Sequence, residues 1–548
     1  MRTAKEGPGR SGNPGRSGKW WMLAVTCLSV IVVSLDLTVL NIALPSISAA
    51  LHAGTADLQW IVDAYSLAFA GVMLSAGVIG DRLGRRRVLL AGLAVFLAAS
   101  VGCALSASVG ELIAGRVLMG LGAATVFPLS LAITSAAFGD AERPKAIGVL
   151  TAAVAIGLPL GPVLGGVLLQ HFAWNSVFWI NVPAVCLTLA AGFFLVPESR
   201  NPVPPPLDVA GALLSAAAVT SGVWGVINGP EHGWAAPASW ALLAGSAILL
   251  AAFCFRERRA AHPLIDPGLF LDPRFSWGTV ATIGVSVALF AILFTVPQYL
   301  QSALGDDPLS AGLRLLPMMA GLLVAGGAAS AAVRAIGTRL TVAFGLALLT
   351  AGLVVLSQIR LGTGYAVVAT GLALCGLGTG AAVAAAMDAV MAAAGGDEAG
   401  VGAAVNSTLR QVSGAIAVAV LGGVLSAGYA ARLRPALAAL PAGEAVTARA
   451  SISQAVQLAA RLPSGGWLRD AAGAAFLHGQ NVVMLSCAGL AAVTALTSLR
   501  YLPGRAGSGG ATAAASAPAP EPSSAPEPSS APEPSSATDA TSPPGARR

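Results

Sequence analysis

The chain contains about fourteen apolar runs, each roughly 20 residues long, between residues 20 and 499, and each is long enough to cross a bilayer as an α-helix. The connections between the runs are mostly short, so successive helices are antiparallel and no room remains for a soluble catalytic domain. Only 10% of the residues are charged, whereas about a quarter are charged in soluble proteins. The pattern predicts an all-α polytopic membrane protein with about fourteen transmembrane helices.

Lysine and arginine residues predict the orientation of these helices, because short cytoplasmic loops retain them. If the N-terminus is inside, the cytoplasmic segments hold the basic residues of the turn at 82–87 and of the stretch 256–274, whereas the short outer loops hold only Arg360. An even number of crossings then places both termini in the cytoplasm. The segment 430–479 is assigned to the outside despite its arginines, since long loops obey the rule weakly. The net charge of +6 therefore follows from topology, and no nucleic-acid partner is expected.

The C-terminal segment differs in composition from the rest of the chain. The sequence APEPSS occurs three times in succession between residues 519 and 536. Such Pro/Ser/Glu-rich sequence cannot bury a core, so residues 501–548 are predicted to form a disordered cytoplasmic tail.

The turn between the second and third runs, GVIGDRLGRRRVLL (77–90), packs four arginines and one aspartate into an otherwise uncharged region. A positive-inside anchor would explain the arginines but neither the aspartate nor the glycines. A carboxylate that faces several guanidinium groups forms charge-assisted bonds that a small movement breaks, and glycines permit close approach. We interpret the turn as a conformational latch formed by Gly77, Asp81, Arg82, Gly84, Arg85 and Arg86.

Few ionisable residues lie inside the apolar runs, and these are functional candidates by default because each costs roughly 2.5 to 3.5 kcal/mol near the bilayer centre. Counting about 1.5 Å per residue from the outer helix ends places Asp63 and Arg116 roughly 8 to 10 Å deep, and Asp36 about a turn deeper. This layer predicts a carboxylate and guanidinium cluster that faces a water-accessible cavity. The candidates for proton coupling or substrate binding are Asp36, Asp63, Arg116, Arg410, Asn406 and Asn41.

Structural alternatives stay open for several of these residues. Asp36 and Arg116 would neutralise each other as a purely structural pair, and Asp63 would cap the start of its helix. Asp388 lies near a helix end and is interpreted as interfacial, and Arg314 is placed either in the cavity or at the outer surface, where its side chain would snorkel.

The fifth run carries GLPLGPVLGG (157–166), in which glycine recurs every fourth residue and gives another helix a flat surface to pack against. Two prolines interrupt its hydrogen-bond ladder and favour a bend. A rigid packing motif is the alternative. We expect a hinge or sliding surface at the bundle interface, formed by Gly157, Pro159, Gly161, Pro162, Gly165 and Gly166.

These segments together resemble the major facilitator superfamily. The turn at 77–90 is similar to the family's signature between helices two and three, and GRVLMGLGA (115–123) resembles its fourth-helix motif, whose arginine is associated with proton coupling. In this chain Met119 replaces the usual Gln. The run at 157–166 resembles the fifth-helix motif that marks antiporters. LDLTVLNIALP (35–45), QYLQ (298–301) with LLP (315–317), and residues 406–411 resemble the fourteen-helix drug/proton antiporter branch.

The resemblance implies a major facilitator fold with six parts. These are a basic cytoplasmic N-terminus (1–19), an N-terminal six-helix bundle (20–196), a linker (197–206), two extra transmembrane helices (207–256), a C-terminal six-helix bundle (257–500, with the outer loop 430–479) and the tail (501–548).

The implied function is proton-coupled antiport that exports lipophilic drugs, antibiotics or toxic cations across a bacterial cell membrane by alternating access. A transporter of one specific metabolite with the same fold, or a non-transporting membrane receptor, is the alternative. The expected partners are a small-molecule substrate, protons and the bilayer. The sequence has no phosphate-binding loop, nucleophile elbow or metal-ligand spacing, so we expect no enzyme activity, no ATP, no metal and no cofactor.

Overall fold

The computed structural model describes residues 16–504 except 140–141, 201–207, 233–235, 261–266 and 463–464. The predicted disordered tail lies almost entirely outside this range. Over the described residues the chain forms helices and no β-strand. In chain order the helices are α1 (Arg16–Leu51), α2 (Thr55–Leu83), α3 (Arg85–Leu105), α4 (Val109–Ala123), α5 (Val126–Ala137), α6 (Arg143–His171), α7 (Ser176–Trp179), α8 (Asn181–Leu195), α9 (Val209–His232), α10 (Pro237–Glu257), α11 (Pro273–Gln298), α12 (Pro308–Arg314), α13 (Leu316–Ile336), α14 (Thr338–Leu356), α15 (Tyr365–Leu437), α16 (Ala442–Ala450), α17 (Ile452–Arg461) and α18 (Gly466–Tyr501).

The length and hydropathy of these helices confirm the predicted number of membrane spans. Within the described ranges, thirteen helical segments are long and apolar enough to cross a bilayer, and α2, which bends by 52° beyond Met73, brings the number to fourteen. α15 contains two of these spans, Tyr365–Ala393 and Val405–Leu437, whereas α4 with α5, α7 with α8, and α12 with α13 each form one. The protein is therefore an all-α, multi-pass membrane protein.

The helices fall into three groups that we name by position in the chain. α1–α8 are the N-terminal half, α9 and α10 the extra pair, and α11–α15 with α18 the C-terminal half. In the N-terminal half α1 packs on α6 and α8, and in the C-terminal half α15 packs on α11, α13 and α14. α9 packs on both α2 and α15, so the extra pair covers the seam between the halves. The exposed Trp240, Ile248 and Phe255 of α10 are suited to contact lipid.

Local sequence explains where several helices begin. Ser108, Asp272, Asp307 and Ser451 precede α4, α11, α12 and α17, and each side chain accepts a hydrogen bond from a backbone N–H in the following turn. These bonds satisfy donors that a helix start leaves free. Pro273 and Pro308 occupy the first turn of their helices, where proline costs no hydrogen bond.

The segment 430–479 is helical over most of its described length. α15 continues to Leu437, α18 begins at Gly466, and α16 and α17 lie between them. α17 buries Ile452, Ala455 and Ala459 on one face, which explains why a short polar helix packs onto the membrane-spanning helices. We call α16 and α17 the cap.

The two halves are in close contact at the end where α1 ends and α2 begins, which we call the outer end because the sequence predicts that it faces outward. Gln301 Nε2 donates to Ile42 O at 2.8 Å, and Gln59 Nε2 donates to the carbonyls of Val418 and Ala419, both at 2.9 Å. A β-carbon on Gly422 would lie 2.4 Å from Gln59 Nε2, so the Gln59 side chain approaches the α15 backbone closely. The structure is therefore closed at the outer end.

Candidate functional site

A buried ion pair joins α1 to α4 within the N-terminal half. Arg116 Nη1 lies 2.8 Å from Asp36 Oδ2, and the two side chains are 2% and 1% exposed. A buried pair needs further hydrogen bonds to offset the cost of removing both charges from water. The sequence predicts that Asp36 and Arg116 lie close together, and in the structure their side chains are in direct contact.

Further contacts of this pair come from α8 and α2. Asn181 Nδ2 donates to Asp36 Oδ1 at 3.1 Å and to Ser100 Oγ at 3.2 Å. Arg116 Nε donates to Ile61 O at 3.2 Å, and its Cζ lies 4.2 Å from the centroid of the Tyr65 ring, a cation–π distance. The guanidinium therefore fixes α2 as well as α1.

Sequence reasoning did not identify Asn181 or Tyr65. The signal for Asn181 was an amide inside an apolar run, which is weak because an amide carries no charge. Met119, which replaces the family's usual Gln, accepts a weak hydrogen bond from Cys103 Sγ at 3.6 Å. The polar support for Arg116 comes instead from the Ile61 carbonyl.

Asp63 forms no hydrogen bond with this pair. Its side chain is fully buried, and neither carboxyl oxygen has a hydrogen-bond partner among the described residues. Gln59 and Leu67, one turn before and one turn after it, both pack on the second span of α15. Residues four apart share a helix face. Asp63 is therefore directed toward the seam between the N-terminal and C-terminal halves.

The facing part of α15 carries polar groups of its own. Gln411 lies one turn before Ala415, which belongs to the same buried apolar cluster as Leu67, and Gln411 Nε2 is buried without a partner among the described residues. Arg410 Nε is also buried and has no hydrogen-bond partner among the described residues. α2 and the second span of α15 therefore both carry buried polar atoms that have no hydrogen-bond partner among the described residues.

The other two candidates lie elsewhere. Asn406 is fully buried, and its Oδ1 accepts a hydrogen bond from Thr282 Oγ1 at 2.7 Å on α11. Asn41 Nδ2 donates to Leu37 O of its own helix at 3.2 Å. The six candidates therefore do not form one cluster. Asp36 and Arg116 form an ion pair, and the other four lie at separate positions. Over the described ranges no three or more His, Cys, Asp or Glu side chains are placed to hold a metal ion.

The predicted latch lies at the opposite, inner end of α2. Arg85 Nε contacts Asp81 Oδ1 at 2.7 Å, and Arg85 Nη1 donates to Ala132 O of α5 at 3.4 Å. Gly84 has φ +114°, a backbone conformation that L side chains rarely adopt. A β-carbon on Gly80 would lie 2.1 Å from a Leu129 methyl group, so α2 and α5 approach closely there.

Glu198, which follows α8, completes this turn and was not identified from the sequence. Its Oε1 accepts a hydrogen bond from the Arg86 backbone N–H at 3.2 Å, at the start of α3. Its Oε2 lies 3.5 Å from Arg87 Nε and 3.9 Å from Arg86 Nε. A carboxylate at a helix N-terminus is favoured by the helix dipole. The available signal was a single acid in the PESR connection after the sixth span.

The glycine stripe of α6 packs mainly within the N-terminal half. β-carbons on Gly157 and Gly161 would lie 2.6 Å from Ser34 Cβ and 2.0 Å from Thr38 Oγ1 of α1. Only the C-terminal part of the motif lies at the interface between the two halves, where we expected the whole motif. There Gly166 faces Pro308 and Leu309, and Pro162 O contacts Gly312.

Comparison with known proteins identifies the family. The Major Facilitator Superfamily model matches residues 26–418. The multidrug resistance protein Stp of Mycobacterium tuberculosis (strain CDC 1551 / Oshkosh) is 36% identical over 76% of this chain and 77% of its own length. The tetracenomycin C resistance and export protein of Streptomyces glaucescens is 32% identical over 88% of this chain and 92% of its own.

A solved structure shows the same fold. The bacterial homologue of the human lysosomal transporter Spinster, in an inward-facing and unoccupied conformation, has a TM-score of 0.64 and 14% identity, and the match covers 89% of this chain and 98% of that one. With up to fourteen candidate spans among the described residues, a matching family model and this shared fold, the chain belongs to the major facilitator superfamily of membrane transporters, which are not enzymes.

Proposed function

We propose that this transporter is a proton-coupled antiporter that exports lipophilic drugs, antibiotics or toxic cations across the bacterial cell membrane. The names of its relatives, for multidrug resistance and for tetracenomycin C resistance and export, support the drug class and the outward direction. The fifth-helix segment 157–166, which resembles the antiporter motif, supports exchange for another ion.

Alternating access is supported by the kind of contact that closes the outer end. The two halves meet there through neutral hydrogen bonds, such as those of Gln301 and Gln59, and through close backbone contacts at glycines. Neutral hydrogen bonds contribute about 0.5 to 1.5 kcal/mol each. When the halves rock, the hydrogen bonds that close one end are therefore replaced by contacts of similar strength at the other end.

The observation that carries the proton assignment is the environment of Asp63. An ionised carboxylate without a partner in a buried site is costly, whereas the protonated form costs much less. Asp36 already has an ionic partner, but Asp63 lies at the seam, where relative movement of α2 and α15 changes its surroundings. A carboxyl group in this position takes up a proton in one state and releases it in the other.

The cycle follows from that assignment. With the outer end closed, the unpartnered carboxyl group of Asp63 holds a proton until a cationic substrate from the cytoplasm displaces it, and the proton leaves toward the cytoplasm. When the outer end opens, a proton from outside displaces the substrate from Asp63, and the drug leaves. A potential of 100 mV is worth about 2.3 kcal/mol per charge, which sustains roughly a fifty-fold gradient of an uncharged substrate per proton. Exchange of one proton for one monovalent cation moves no net charge and is driven by the pH difference.

The test uses everted membrane vesicles with an acidic interior and ethidium as the lipophilic cation. The wild type should accumulate ethidium against its gradient. Asp63→Asn should lose proton-driven accumulation but keep exchange of ethidium down its gradient. Asp57→Asn is the matched control on the same helix, where Asp57 Oδ2 accepts the Gly54 N–H at 2.9 Å and asparagine also offers an acceptor.

Full proton-driven accumulation by Asp63→Asn would contradict the proton assignment. If the wild type instead moved ethidium out of the everted vesicles, the result would support an importer of the same fold.

A further inference from the structure

The cap is hydrogen-bonded to both halves at the outer end. It follows α15 and precedes α18 in the chain, with four intervening residues on each side, so it is tethered to the C-terminal half. Ser451, Ser453 and Gln454 are all buried, which is unusual for polar residues in a connection between spans. Their partners lie in both halves of the transporter.

The contacts with the N-terminal half surround the turn between α1 and α2. Ser451 Oγ lies 3.1 Å from Ser48 Oγ, and the Ser48 hydroxyl donates to Ala53 O at 2.7 Å, so the proton between the two serines comes from Ser451. Gln454 Nε2 also donates to Ala53 O, at 3.0 Å. The Thr55 hydroxyl donates to the last carbonyl of α16, at 3.0 Å.

The contacts with the C-terminal half lie on the other side of the cap. Ser453 Oγ is 2.9 Å from Ser302 Oγ in the π-helical turn Tyr299–Ala303 that follows α11. The Tyr429 hydroxyl donates to Ala448 O at 2.8 Å. Two serines that are two positions apart, Ser451 at the N-cap of α17 and Ser453 in its first turn, therefore bind opposite halves.

We propose that the cap is the outer gate of the transporter, that it moves with the C-terminal half, and that opening to the outside breaks its bonds to Ser48, Ala53 and Thr55. This inference rests on the alternating access proposed above. The covalent tethers to α15 and α18 keep the cap on the C-terminal half. The contacts with the N-terminal half are neutral hydrogen bonds, which water replaces readily when the seam opens.

The experiment locks each side of the cap separately with a disulfide. Ser48→Cys with Ser451→Cys joins the cap to the N-terminal half, and Ser302→Cys with Ser453→Cys joins it to the C-terminal half; in both pairs the hydroxyl oxygens already touch. Both variants are made in the native cysteine background, oxidised with copper phenanthroline in vesicles, and the yield of linked peptides is measured by mass spectrometry.

We expect the Ser48–Ser451 lock to stop ethidium export in proportion to its yield and dithiothreitol to restore it, whereas the Ser302–Ser453 lock leaves export unchanged. Export that continues with the first pair fully linked overturns the gate, and export stopped equally by both locks overturns the claim that the cap moves with the C-terminal half. Export by the reduced variants tests the proposed function itself, so failure of the function is distinguished from failure of the gate.

A second measurement does not depend on disulfide formation. Gln454→Ala removes the bond to Ala53 and should speed alkylation of Ser48→Cys by a membrane-impermeant maleimide several-fold. Thr447→Ala is the control, because the Thr447 hydroxyl donates to Gly443 O within α16 and is exposed. Equal alkylation rates in the two variants would contradict the proposal.

Discussion

Removing one partner of the Asp36–Arg116 pair should destabilise the protein more than removing both. Asp36→Asn leaves a guanidinium that is 2% exposed without an ionic partner, because the asparagine oxygen, the Ile61 carbonyl and the Tyr65 ring carry no net charge, at a cost of about 3 to 5 kcal/mol. Arg116→Met should cost less, because a carboxyl group can neutralise itself by binding a proton and a guanidinium cannot lose one. The double variant leaves no buried charge and should return to within about 1 kcal/mol of the wild type.

The assay is thermal unfolding of the detergent-solubilised protein, followed as loss of the monodisperse peak, together with ethidium export by the same variants. We expect the double variant to regain stability but to export poorly, since Arg116 also holds the part of α2 that carries Asp63. Additive losses in the double variant would refute the reasoning about a coupled buried pair. Full export together with restored stability would show that the pair only neutralises its own charges.

Three further predictions concern other contacts. Gly161→Ala should lower stability by about 1 to 3 kcal/mol through overpacking against α1, whereas Gly148→Ala on the same helix, where a β-carbon would have no neighbour within 4 Å, should be neutral; equal thermal stabilities would exclude the close packing. Glu198→Ala should slow export more than Glu198→Gln, which keeps an acceptor for the start of α3; equal rates in vesicles would show that this hydrogen bond is unimportant. Burial alone would raise the pKa of Asp208, but hydrogen bonds from the Gly211 N–H and from Arg256, and the charge of Arg256, lower it below its usual value. The stability from Asp208 should therefore be complete above about pH 4 and be lost as the pH falls further, so thermal unfolding of Asp208→Asn should match the wild type at strongly acid pH and not at pH 7.

The number of membrane spans was predictable because the thickness of the bilayer fixes the length of an apolar helix. Each run is long enough by itself, and no long-range information is needed to recognise it. The helices of 430–479 were not predicted, because α16 and α17 are too short and too polar to give a membrane signal. Besides the buried apolar face of α17, they are held by bonds to Ser48, Ala53 and Ser302, which are far away in the sequence.

The candidate site was predictable only where a residue carried a charge. Asp36 and Arg116 were recognised because charges in apolar runs are expensive, and the same cost explains why they pair. Asn181 carries no such cost and its contact with Asp36 spans 145 positions, so its role required the fold. Depth along the helix placed Asp63 near the pair, but depth gives no direction around the helix, and Asp63 lies on the face of α2 that is turned toward α15.

The distribution of ionic and neutral contacts matches a molecule whose halves must separate. The pairs Asp36–Arg116 and Asp81–Arg85 lie within the N-terminal half, Asp208–Arg256 lies within the extra pair, and Asp306–Arg314 lies within the C-terminal half. The hydrogen bonds named at the outer seam join uncharged groups. A buried pair across the seam would cost about 3 to 5 kcal/mol to break, more than the roughly 2.3 kcal/mol that one proton gains from 100 mV. Breaking a neutral hydrogen bond costs about 0.5 to 1.5 kcal/mol. This cost is offset by new hydrogen bonds, either to water or within the state that is closed at the other end. The gradient of a single proton is therefore sufficient to bias which end is closed.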